Sequence, residues 1–478
     1  MRLRISRRAF FGGLAAGAAL GTARHSQAAP LDVDVGALVG RLRDAMGRFE
    51  VPGVAAGLIA GDREWAGGLG VMSVDAPLTV DDQTMLPVGP LTMPITATAI
   101  LRLVEQGRIQ LDTPVRAYIP GFRVASETVS QQVTLLDCLT HLAGWWGDDL
   151  TDTGSGDDAI ARYVGGMATL PQTVPFGRHW SFNIAAYSVA GRVLEIVTGK
   201  SFEEAIRTLV FDPLGMSRAA FNAIEVMSVP VSIGHESDGS QLRIVRPFGA
   251  PRGLNPALGA LLPMRDVLKF ARFHLGDGAS AMSLPLLAYM RAPRTAPGAA
   301  DWRETDGFGL GWMLWSQQRQ RFAGITGQTP DGQQFMMVLH PDRDFALALF
   351  GNSASAELML QEVASWAIGQ LLGAPAPAPP VFDLPPEQLQ PYAGSYIFAD
   401  QAVGRDLAPR RYEVLVRDGI LLLRNAASAP ARLRFSRQDA AIVVEGAAAG
   451  QRAEFLRNEF GEIGWLRIGL RAVPRLRA

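Results

Sequence analysis

Apolar residues recur at helical spacing from Val33 to Phe49, and VPGVAAGLIAGDREWAGGLGVM then reads as two strands joined at Gly61-Asp62. A longer run predicts a helix from about Leu91 to Gln106, closed by Gly107 as its C-terminal cap. Pro94 fits inside it because the amides of the first turn lack intrahelical acceptors. The middle of the chain is helical with long loops, among them Gly154 to Asp158. Strand alternation returns in GFGLGWML (Gly307 to Leu314), RFAGITGQTPDGQQFMMVLH (Arg321 to His340) and DFALALFGN (Asp344 to Asn352), and a helix follows over Ala356 to Leu372. Strands at both ends of this stretch with helices between them predict an α+β layout in which distant segments share one sheet.

A proline-alanine linker, GAPAPAPPVFDLPPE, follows and is assigned to 373–388. Beyond it YAGSYIF, RYEVLVRDGILLLRN, ARLRFSR, AIVVEG and AEFLRN alternate as short strands with turn residues such as Asp418-Gly419 between them. They predict a small all-β domain, barrel or sandwich, over 389–478. At 478 residues the chain is long enough for one large unit, 29–372, and this small one.

A net charge of -1 gives no electrostatic basis for binding nucleic acid. The N-terminus is the exception: MRLRISRRAFFGGLAAGAALGTARHSQAA joins the pair Arg7 and Arg8 to a modest apolar run and a small-residue end. Ser6 to Phe11 resembles a twin-arginine export signal, so 1–28 is expected to be a cleaved signal peptide and the mature protein periplasmic or secreted. Phe10 to Thr22 is short for a membrane span, and no other apolar run of that length is present, so no transmembrane segment is expected in the mature protein. The single cysteine, Cys138, excludes an intrachain disulfide and reads as a small buried side chain.

The segment TMLPVGPLTMPITATAILRLVEQG (Thr84 to Gly107) resembles the start of the active-site helix in the serine β-lactamase and penicillin-binding-protein family, close to its class C branch. VTLLDCLTHLAGW, AYSVAGRVLEIVTGKSFEEAI, DPLGMSRAAF, MRDVLKFARF and FGLGW match further elements in the same order. The resemblance covers roughly Val51 to Leu372, and the C-terminal unit resembles a β domain often appended to such enzymes. It implies a β-lactamase/transpeptidase-like sheet flanked by helices.

The family's Ser-x-x-Lys motif supplies a nucleophile and the base that deprotonates it. Here Pro90 and Met93 stand at the two positions, and neither a pyrrolidine ring nor a thioether handles a proton at neutral pH. No other register restores the motif: lysine occurs only at Lys200 and Lys269, preceded three residues earlier by Val197 and Asp266. At the Tyr-x-Asn element the flanks place Phe182 and Ile184; a one-residue shift gives Ser181-Phe182-Asn183 instead, a Ser-x-Asn that makes Ser181 a candidate nucleophile. At the strand motif, Ile325 takes the cationic position before Thr326 and Gly327, and Asp331 stands where glycine is usual. Pro90, Met93, Phe182, Ile184 and Ile325 thus replace a polar cluster by an apolar one.

The remaining expectations are a ligand site at Thr92, His141, Asn183, Thr326 and Gly327, with no cofactor and no metal. Thr92 and Thr96 also read as structural helix hydroxyls, His141 as a packing residue, and His274 as a chance mimic of a His-x-Gly motif. Trp145, Trp146 and Trp312 fit either the cleft border or the core. No Gly-x-Ser-x-Gly elbow or His-Glu-x-x-His motif is present. The leading expectation is an exported pseudoenzyme that binds a small molecule, peptide or cell-envelope partner. The alternatives are a reprogrammed non-hydrolytic enzyme of isomerase or cyclase type, and a residual serine hydrolase using Ser181.

Overall fold

The computed structural model describes residues 33–476 apart from 238–240, 278–280, 296–297, 299–302, 399–409, 426–428 and 447. The expected signal peptide lies outside the described residues.

Helix α1 (Val35–Phe49) begins where the Asp34 carboxylate accepts the Ala37 amide and ends at Glu50 in the left-handed conformation. It buries Leu38, Leu42 and Ala45, one stripe at helical spacing. Strands β1 (Gly53–Ala60) and β2 (Arg63–Gly70) form the predicted hairpin. The next long helix is α2 (Thr92–Glu105), then come α3 (Ile184–Thr198) and α4 (Met264–Arg272). Five more strands follow: β3 (Gly307–Phe308), β4 (Met313–Gln317), β5 (Gln320–Gln328), β6 (Gln334–His340) and β7 (Phe345–Gly351). Helix α5 (Ala356–Leu372) ends on Gly373 at φ 61.

These strands make one antiparallel sheet in the order β2-β1-β7-β6-β5-β4-β3, so β1 from the start of the chain pairs with β7 from near its end. Strands buried on both faces read as continuous apolar runs, and β1, β6 and β7 are buried at every residue. One face meets α1 and α5; the other meets the helical half, where α2 is buried along most of its length. Gly57 shows how closely α4 approaches: a Cβ there would lie 2.8 Å from Leu268 Cδ2 and 2.9 Å from Met264 Sδ.

The C-terminal unit is a nearly closed antiparallel barrel of eight strands paired in chain order: β8 (Gly394–Phe398), β9 (Arg410–Arg417), β10 (Ile420–Asn425), β11 (Ala431–Arg437), β12 (Ala440–Val443), β13 (Arg452–Arg457), β14 (Ile463–Ile468) and β15 (Arg471–Pro474). A bridge between Tyr396 and Arg475 brings the last strand to the first. Tyr396, Val414, Leu433, Phe435, Phe455 and Leu466 fill the core. The proline-rich connection is anchored to the barrel, since Phe382 exchanges both main-chain hydrogen bonds with Phe435.

Candidate active-site cleft

The residues before α2 make a single 3-10 turn, Gly89–Leu91, with Gly89 at φ 47. The fixed φ of Pro90 suits the start of a helix, and the ring is buried against β5. A Cβ on Gly327 would come within 2.6 Å of Pro90 Cγ, so the turn and the strand meet at a spacing only glycine permits. Side chains alternate along a strand, which puts Ile325 on the same face as Gly327 and Thr326 on the other. Thr326 accordingly lies beside Trp315, Met336 and Val338, on the α1 and α5 side of the sheet. Strand geometry therefore separates Thr326 from Gly327, although the two were expected in one ligand-facing set.

Met93, Phe182, Ile184 and Ile325 are all buried in the large apolar core, which runs through both units. Thr92 is fully buried: its hydroxyl donates to the Gly89 carbonyl at 2.7 Å and accepts from the Ala260 amide at 3.1 Å. Thr96 donates to the Pro256 carbonyl. Both hydroxyls therefore hold backbone together. Asn183 likewise caps α3, its Oδ1 accepting from the Ala186 amide at 2.8 Å and its Nδ2 donating to the Trp145 carbonyl at 2.9 Å. It is buried in this structural role.

His141 adopts the left-handed conformation, φ 58, and is fully buried among the rings of Trp180, Phe182, Tyr187 and Phe308. Its Nδ1 accepts the Asn183 amide at 3.1 Å, which leaves the proton on Nε2. Burial, reinforced by the positive charge of Arg471, pushes its pKa down to about 3. It is a neutral packing group, and a base this weak does not activate a hydroxyl at neutral pH. Ser181 is almost fully buried; its amide donates to the His141 carbonyl and its hydroxyl oxygen accepts the Ala472 amide at 3.2 Å.

That last contact crosses between the two units. The β14–β15 hairpin lies against residues 180–182: the Phe182 amide donates to the Leu470 carbonyl at 3.0 Å, and Arg467 donates to the Trp180 carbonyl at 2.9 Å. The Arg471 guanidinium grips Asp148 through Nε at 2.5 Å and Nη2 at 2.9 Å, and its carbon lies 4.9 Å from the centre of the Phe182 ring. Asp148, Leu470 and Arg471 were not identified in the sequence. The available signal was Gly469 between the alternating runs Ile463–Ile468 and Arg471–Pro474, which is a two-residue hairpin pattern.

Other expected candidates fall in the core. Trp145, Trp146 and Trp312 are buried, and Trp312 packs on His274 and Phe270. Asp331 is buried and accepts from the Thr329 hydroxyl at 2.5 Å and the Gln333 side-chain Nε2 at 2.9 Å, organising the turn between β5 and β6. Cys138 is buried, and its thiol pKa is pushed up by burial. Among the described residues no group of three His, Cys, Asp or Glu side chains is arranged to hold a metal, and no helix is long and apolar enough to cross a membrane.

The Beta-lactamase family model matches residues 38–366. Penicillin-binding protein 4 of Amycolatopsis lactamdurans is 31% identical over 362 residues, which cover 72% of this chain and 93% of that protein. Among solved structures, SurE superposes with a TM-score of 0.69 at 23% identity, covering 92% of this chain and 99% of that one. The octameric penicillin-binding protein homologue from Pyrococcus abyssi gives a TM-score of 0.63 at 22% identity, over 92% of this chain and 100% of that one. These two structural likenesses concern the fold, and at this coverage they extend into the barrel.

Proposed function

Because the chain belongs to the β-lactamase family yet contains no Ser-x-x-Lys anywhere, we propose that it is a non-acylating member which binds a ligand or partner where its relatives form acyl-enzymes. The observation that carries this reading is Pro90, buried in the turn before α2 with Met93 behind it in the core. A nucleophile and its base act as a unit, and loss of a single member typically lowers turnover on the order of a million-fold. Neither lysine supplies a substitute: Lys200 donates to the Thr208 hydroxyl, and Lys269 pairs with Asp266. Replacing the whole set by apolar groups avoids a buried half-satisfied remnant, which favours a settled new role over recent decay.

Ser181 supports a second reading, residual hydrolysis, but its hydroxyl is engaged by Ala472 and the adjacent imidazole is committed to Asn183. A third is a non-hydrolytic reaction templated by orientation in the apolar cleft. A thermal-shift screen with recovery of the hits separates binding from chemistry. We expect a compound that raises the melting temperature and is recovered chemically unchanged; conversion of the stabilising compound to product would overturn the binding reading. We further propose export through the twin-arginine signal. Replacing Arg7 and Arg8 by Lys should hold the precursor in the cytoplasm, whereas unchanged delivery would refute it.

A further inference from the structure

The tip of the β14–β15 hairpin is held against the α+β unit as a bound peptide would be. Ile468 pairs with Arg471, so the loop is Gly469-Leu470, with φ 54 and φ 69. Two-residue loops of this handedness favour Asn-Gly or Gly-Gly, and leucine in the left-handed region is disfavoured. Strain of this kind persists where the surroundings over-determine it, often at functional sites. Here the Leu470 side chain is buried in the large apolar cluster that includes Phe182. The recipient segment supplies a donor for the Leu470 carbonyl from the Phe182 amide and an acceptor for the Ala472 amide from the Ser181 hydroxyl. Asp148 and the Phe182 ring receive the intervening Arg471 guanidinium, one by a bidentate ion pair and the other by its face. Main-chain recognition, an apolar seat and a cation seat are thus arranged in consecutive register.

We propose that Asp148, Ser181 and Phe182 form a docking site for a peptide turn carrying an apolar residue followed by arginine, and that the hairpin tip is its built-in occupant. This rests on the reading of the cleft as a binding site and names its ligand chemistry. The tip then acts as a competitor: a free peptide of this pattern binds only while the hairpin is displaced, and its apparent affinity falls by the open fraction.

The test uses the full chain and the probe peptide acetyl-Ile-Gly-Leu-Arg-Ala-Val-amide, which reproduces the tip. Calorimetry should detect binding to the double variant Leu470→Gly/Arg471→Ala, at least ~10-fold weaker binding to the natural protein, and ~10-fold weakening when Asp148→Asn is added to the double variant. No binding to a folded double variant, equal binding to the natural protein, or indifference to Asp148→Asn overturns the proposal. Should the double variant fail to fold, hydrogen exchange on the natural protein decides: added peptide should accelerate exchange in 463–474, and unchanged exchange counts against it. A covalent penicilloyl adduct would instead contradict the non-acylating reading while leaving the peptide result standing, and failure of the peptide to bind would leave that reading intact.

Discussion

Two parts of the cleft are closed by opposite means. Around Pro90 and Gly327 the closure is apolar and internal to the α+β unit: ring meets strand at a spacing that admits no Cβ. Around Phe182 and Asp148 it is polar and comes from the other unit, through main-chain hydrogen bonds and one ion pair. Apolar closure depends on packing and responds to side-chain volume and charge. Polar closure depends on hydrogen-bonding and charged partners, of which the Arg471–Asp148 pair is partly exposed. The first region has no partner to exchange, and the proposed exchange concerns the second alone.

Charging the first region should produce the largest effect. Met93→Lys places an ammonium in the fully buried apolar core, and urea unfolding should register a loss of about 3–5 kcal/mol. Combined with Pro90→Ser, Phe182→Tyr, Ile184→Asn and Ile325→His, it should cost less than the sum of the five singles. Strict additivity would mean these positions do not share one site.

Asp148→Ala probes the second region. It strips a partly buried guanidinium of its bidentate partner and should destabilise by about 1.5–3 kcal/mol, while a double variant with Arg471→Ala should lose less than the two singles combined. Gly327→Ala should cost about 1–3 kcal/mol through overpacking against Pro90, with no dependence on Arg471. Coupling between Gly327 and Arg471 in a double-mutant cycle would break the separation of the two regions.

The acid response of His141 is spread over a range of pH. Its folded pKa of about 3 lies below the unfolded value of 6.5, so the unfolded chain binds more protons throughout that window. Its contribution is complete above pH 6.5 and is lost as pH falls toward 3, by up to about 1.4 kcal/mol per pH unit. His141→Gln should flatten the stability profile between those limits relative to the natural protein; an unchanged slope would show that the imidazole is not held neutral.

Much of this architecture was legible in the sequence because burial leaves a periodic trace. The hairpin of β1 and β2, the helix after Gly89, strands β5 to β7 and helix α5 all follow from apolar spacing and glycine stops. The turn at Pro90 was legible through what it lacks. The orientation of Thr326 is not legible in the motif, because a strand sends neighbouring residues to opposite faces. Asn183 read as a ligand residue because a helix cap and a binding amide present the same atoms. The docked hairpin is not legible for two reasons: Gly469-Leu470 is an unusual turn pair, and the Arg471–Asp148 contact spans 323 positions that no local pattern connects.

The most direct test of the central claim is the intact mass of the protein after prolonged exposure to fluorescent penicillin and, separately, to a fluorophosphonate. An unmodified chain is expected in both cases, because Pro90 offers no hydroxyl and Ser181 has no base. Stoichiometric addition of either reagent would contradict it, and mapping the adduct to the peptide containing Ser181 would establish the hydrolase reading in its place.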